Sequence, residues 1–143
     1  MKRLALILLV GCGTTTTGKP YQAIPHQAPP DVTDEQLYTA TLRVFQDLGA
    51  ELRDKDKDTG TVITKYTKAG YGGGLSTDKV LHAWRVVIRE GKVRIDIGCV
   101  LVDVGSGRET GCVGNERQLE WIERVPVLRD AIFAEAKKLQ VGR

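Results

Sequence analysis

The stretch VLHAWRVVIREGKVRIDIGCVL, residues 80–101, decides the architecture. Val80, His82, Trp84, Val86 and Ile88 alternate with Leu81, Ala83, Arg85, Val87 and Arg89. This period of two sends successive side chains to opposite faces of a strand. Glu90-Gly91 reads as the turn, after which Val93, Ile95, Ile97, Cys99 and Leu101 share one face of a second strand, opposite Arg94 and Asp96. A long antiparallel hairpin with one apolar face must be covered by something else in the chain.

On its C-terminal side, Val104-Gly-Ser-Gly107 reads as a loop that returns the chain along the second strand. Pairing Asp103 with Arg108 and counting back sets Cys99 opposite Cys112. Opposed side chains in an antiparallel pair stand about 4.5–5.5 Å apart, within reach of a disulfide. Two small buried thiols are the alternative, and a slip of one residue would part the sulfurs onto opposite faces. Residues 114–124 read ambiguously: Leu119, Trp121 and Ile122 either start a helix or cover a sheet edge. After Pro126, the spacing of Leu128, Ala131, Ile132, Glu135, Ala136 and Leu139 predicts an amphipathic helix, with Lys137 and Lys138 near its negative end.

On its N-terminal side, the glycine-rich residues 68–79 connect to a further hairpin. Ala50–Lys55 and the Thr61–Thr67 segment are its arms, turning through Asp58-Thr-Gly60. Before it, Thr33 stands at a helix N-cap with Gln36 at the capping-box position, and Asp34 and Glu35 suit the positive helix end. Leu37, Thr41, Val44, Phe45 and Leu48 recur at helical spacing until Gly49 stops the helix. The expected fold is α+β and two-layered. An antiparallel sheet of four to five strands carries an N-terminal and a C-terminal helix on one face, in residues 33–143.

Upstream of this domain the composition changes. Residues 13–32 hold four of the five prolines and little periodic hydrophobicity, so residues 12–32 read as a flexible tether. Gly13 to Lys19 spells most of a phosphate-binding loop. Pro20 stands where a magnesium-binding hydroxyl belongs, however, so no nucleotide is expected. Lys2 and Arg3 precede an apolar run from Leu4 to Val10, the layout of a signal peptide over residues 1–11. Such a run rises only about 10 Å as a helix, far short of a bilayer's roughly 30 Å apolar core.

Leu9-Val10-Gly11-Cys12 resembles the lipobox of bacterial lipoproteins. The resemblance implies cleavage between Gly11 and Cys12 and acylation of Cys12. It also implies an anchor of two or three chains, each buried methylene contributing about 0.8 kcal/mol. Gly13, where that family uses Asp for inner-membrane retention, implies the outer membrane. Export would leave Cys99 and Cys112 as the cysteine pair of an oxidising compartment. Lys2 and Arg3 are two of only 21 basic residues against 18 acidic ones, so the remainder is near neutral and nucleic-acid binding gains no support.

The order helix, strand, Lys-Asp-Thr-Gly-Thr-Val turn (residues 57–62), strand, long hairpin and closing helix resembles the helix-grip domains of BamC lipoproteins. That family is likewise lipid-anchored in the outer membrane behind a disordered stretch. The resemblance implies a periplasm-facing position and carries over no functional residue.

Residues with chemistry are few. His26 lies in the tether and reads as solvated. His82 shares a strand face with Trp84, which suits a packed histidine better than a metal ligand, and no spacing gathers ligands for a metal. No acid–base or nucleophilic constellation is apparent, so no catalytic residue, enzyme activity or cofactor is expected. Cys99 and Cys112 lack the CxxC spacing of a redox site. The expected role is a non-enzymatic adaptor or scaffold for other envelope proteins, held to the membrane by acyl chains. The alternative is a binding module for a lipid or cell-wall fragment, in a groove between helix and sheet lined by Tyr71, His82 and Trp84.

Overall fold

Eleven consecutive residue pairs zip the central hairpin together, from Lys79↔Val102 to Arg89↔Lys92. The computed structural model describes residues 21–22, 24–71, 79–103, 105–111 and 116–141. Their elements are β1 (Tyr21–Gln22), β2 (His26–Gln27), α1 (Asp34–Asp47), β3 (Leu52–Asp56), β4 (Thr61–Thr64), β5 (Thr67–Tyr71), β6 (Lys79–Arg89), β7 (Lys92–Val102), β8 (Glu109–Gly111) and α2 (Glu116–Val141). All strands join one antiparallel sheet in the order β1-β7-β6-β4-β3, with β2 and β8 also on β7 and β5 also on β6. The fold is the expected α+β arrangement.

The β6–β7 register puts Trp84 opposite Ile97, Val86 opposite Ile95 and Ile88 opposite Val93 on one face. Val62 of β4 joins them opposite Val86. All of these side chains are buried against Leu37, Val44 and Phe45 of α1 and Trp121, Val125, Leu128 and Ile132 of α2. Burying a side chain of this size contributes roughly 1.5–3 kcal/mol, so the helix-facing layer is the stabilising centre of the domain.

Helix α1 starts as its sequence dictates. Gln36 N–H donates to Thr33 Oγ1 at 3.1 Å, and Thr33 N–H donates to Gln36 Oε1 at 3.0 Å, which closes the capping box. Gly49 takes φ 71° and ends the helix. Asp34 does more than suit the helix dipole. Its carboxylate accepts the Glu90 and Gly91 amides of the β6–β7 turn, at 3.1 and 2.8 Å.

Three features complete the sequence reading or depart from it. Helix α2 runs unbroken through Pro126 from Glu116, so of the two readings left open for residues 114–124 the helical one holds from residue 116. A proline inside a helix costs about 3 kcal/mol, and here the turns ahead of it bury Trp121 and Val125 against the sheet, which offsets that cost. The arm expected over residues 61–67 is two strands. Thr61 pairs with Val87 but Thr67 pairs with His82, so the register slips by one residue at Lys65-Tyr66. Thr64 Oγ1 accepts the Trp84 amide at 2.9 Å, taking over a ladder bond at the slip. Finally, Tyr21–Gln22 and His26–Gln27, inside the stretch read as tether, pair with β7, and Ala28 and Val32 are buried. The free edge of β7 supplies the backbone partners that the composition of residues 12–32 does not advertise. His26 is exposed, as expected.

Candidate functional site

Between α1, α2 and the sheet lies an open cleft of about 590 Å³. That is within the roughly 300–1,000 Å³ typical of small-molecule sites. Val44 of α1 and Leu48 at its C-cap form one wall, Trp121 and Leu128 of α2 the other, with Trp84 and Thr64 at the sheet. The slip at Lys65-Tyr66 breaks the strand next to it. Leu48 and Val127 stand 65% and 69% exposed at the cleft, a place where apolar side chains meet water without cover from any described residue.

Trp121 is the organising residue. Its indole lies 4.6 Å from that of Trp84, and it stacks on the His82 ring at 4.8 Å and an interplanar angle of 15°. Stacked rings at such separations contribute about 0.5–1.5 kcal/mol beyond their burial. The Arg124 guanidinium sits 5.7 Å from the Trp121 ring centroid and is the one charged group among the described residues lining the cleft. The site therefore offers an apolar trough with a single cation beside it.

The expected groove residues divide. Trp84 lines the cleft. His82 is fully buried beneath Trp121, so it supports the wall without facing the space. The backbone of Tyr71 pairs with Lys79 in β5, and its side chain lies outside the described residues. Trp121, Arg124 and Leu48 were not among the expected groove residues. The signal for Trp121 was present, because Trp121, Val125, Leu128, Ile132 and Ala136 keep one helical stripe straight through Pro126.

Gly11, Cys12 and Cys112 also lie outside the described residues. Cys99 is disulfide-bonded. In the β7–β8 ladder Val100 faces Gly111, Leu101 faces Thr110 and Val102 faces Glu109, and Asp103 N–H donates to the Arg108 carbonyl at 2.9 Å. This is the register from which the sequence count started. Among the described residues no group of three His, Cys, Asp or Glu side chains is placed to hold a metal. No described helix is long and apolar enough to cross a membrane.

No family model and no curated protein matches the chain. Among solved structures, it is similar to a TBP-like protein from Parabacteroides distasonis at 10% identity and a TM-score of 0.46, over 86% of this chain and 88% of that one. It is also similar to a DUF4468 family protein from Bacteroides ovatus at 11% identity and a TM-score of 0.42, over 64% of this chain and 59% of that one.

Proposed function

We propose that this chain is a lipid-anchored envelope protein whose domain is a binding module, taking an acyl chain with an anionic head into the cleft between the helices and the sheet. The observation that carries this reading is the cleft itself: apolar walls, two indoles and one cation at Arg124. An acyl tail matches the walls, and its acidic end matches the guanidinium. The lipobox-like Leu9–Cys12 stretch supports attachment beside a bilayer, where such molecules are supplied. The adaptor role expected from the sequence needs a protein-docking surface, whereas the cleft favours a small amphiphile.

Trp84 and Trp121 are the only tryptophans of the chain, so their fluorescence reports on this site alone. Full-length protein in detergent micelles is titrated with dibromostearate, whose bromines quench indole on contact. Saturable quenching, abolished by filling the cleft with Ala131→Phe and weakened by Arg124→Gln, supports the reading. Quenching that never saturates, or that Ala131→Phe leaves intact, overturns it. Cross-linking at Leu48 or Val127 that captures a stoichiometric protein would return the role to that of an adaptor. Acylation is tested separately, by the intact mass of the membrane-extracted protein and its loss from the membrane on Cys12→Ser.

A further inference from the structure

The opposite face of the sheet, which neither helix covers, holds a second arrangement of a different chemistry. Asp96 is 0% exposed although it stands on this face, because two arginines enclose it. Arg85, directly across the ladder, donates Nε and Nη2 to Asp96 Oδ2 at 3.1 and 2.8 Å. Arg94, two residues earlier on the same strand, donates Nη2 to Oδ2 at 3.0 Å and Nε to Oδ1 at 3.1 Å. Two cations thus share one anion. Both guanidiniums keep about a third of their side chain in solvent, and among the described residues neither Nη1 has a partner.

Stability alone gives little reason for this cluster. Buried ion pairs are often no better than apolar residues of the same volume, because desolvation cancels the attraction. What the carboxylate does is fix two forks in place with a positive surplus, and a guanidinium held in this way is ready for a planar two-oxygen partner. Beside Arg85 lies a pocket of about 350 Å³. Gly98 and Ala83 form its low floor, the phenol of Tyr66 its wall, and Arg53, Glu109 and Thr110 its rim. The strand slip that breaks β4 from β5 is what turns Tyr66 to this side. Its hydroxyl lies 3.1 Å from where a Cβ on Gly98 would stand.

We propose that this pocket binds the carboxylate of a small organic acid, with Arg85 as the principal donor, Arg53 as a second cation and the rest of the ligand over Gly98 beneath Tyr66. Glu109 on the same rim disfavours a dianion, which selects a carboxylate over a phosphate. This site is separate from the apolar cleft and stands or falls without it.

The test is an NMR titration of the full-length protein, following the Arg85 Nε–H and the Gly98 amide. The probes are N-acetylalanine, alanine amide and inorganic phosphate. N-Acetylalanine is expected to shift both signals together and saturably, and alanine amide to shift neither. Arg53→Gln, on an exposed edge strand and with no bond to Asp96 among the described residues, is expected to weaken binding roughly threefold, and Glu109→Gln to strengthen it by a similar factor. Tighter binding of phosphate, equal binding of alanine amide, or shifts that never saturate overturn the proposal. So does indifference to both rim variants.

Discussion

The Asp34 carboxylate bridges the two layers by accepting the amide of Gly91 at 2.8 Å, while its other oxygen takes the Glu90 amide at 3.1 Å. One side chain in the first turn of α1 therefore closes the tip of the β6–β7 hairpin. That turn needs the help, since Glu90 at φ 53° and Gly91 at φ 74° both occupy the left-handed region, and glutamate does so at a cost. Asp34→Ala is expected to lose about 1–2 kcal/mol of stability, because charge-assisted bonds are among the stronger ones and this pair is exposed. Urea unfolding of the single variant, beside Glu90→Gly, measures it. The glycine variant should recover part of the loss by removing the turn strain.

Gly60 and Gly49 form a matched pair. Both hold a positive φ, 68° and 71°, so alanine at either position meets the same backbone penalty. A Cβ on Gly49 meets nothing within 4 Å, whereas one on Gly60 overlaps the Ile88 carbonyl, whose own amide donates to the Gly60 carbonyl at 2.8 Å. Gly49→Ala should cost about 1 kcal/mol and Gly60→Ala about 3 kcal/mol or more. Equal melting temperatures for the two variants would show that the close approach of β6 to the β3–β4 turn is not as described.

How much of this was legible follows from where the information sits. The β6–β7 hairpin, the capping box at Thr33 and Gln36, and the β7–β8 register depend on alternation, cap chemistry and loop length. All of these are local. The path of α2 is not, because Pro126 is a strong local stop, overruled only by the burial of Trp121 against a sheet nearly 40 residues away in sequence. The break at Lys65-Tyr66 likewise depends on a side chain, Thr64 Oγ1, replacing a carbonyl for Trp84. The cleft inherits both surprises. Trp84 was found from its strand, but its partner Trp121 and the neighbouring Arg124 belong to the part of α2 that local rules left undecided.

Strong acid is expected to loosen the β7–β8 loop. The Asp103 carboxyl is held below its ordinary value of 3.8, chiefly because its carboxylate accepts the Gly105 amide, at 2.9 Å, and then the Ser106 hydroxyl, also at 2.9 Å. A carboxyl lowered on folding contributes stability that is present above its unfolded value and disappears as pH falls through the folded one. The loop is therefore expected to stay protected down to pH 3.8 and to loosen below it. Hydrogen exchange at Gly105 across that range is the measurement. Asp103→Asn should remove the pH dependence, and Ser106→Ala should move the transition upward.

The bridge at Cys99 yields the last expectation, and it bears on the anchor as well as on the hairpin. The sequence count that expects Cys99 opposite Cys112 shares its register with the observed Val100↔Gly111 pair, so Cys112, outside the described residues, stays the expected partner of the disulfide-bonded Cys99. Closing a loop of this length restricts the unfolded chain and contributes about 3 kcal/mol by the entropy model. Cys112→Ala should then lower stability by about that amount, as should reduction of the parent protein, and should release one thiol at position 99. Cys12→Ala should leave unfolding unchanged. Peptide mapping under non-reducing conditions decides between the two pairings. A sulfur carrying a thioether to lipid has no valence left for another sulfur. A bridge from Cys99 to Cys12 would therefore remove acylation at residue 12 along with the hairpin pairing, whereas a Cys99–Cys112 bridge leaves Cys12 free to carry the lipid.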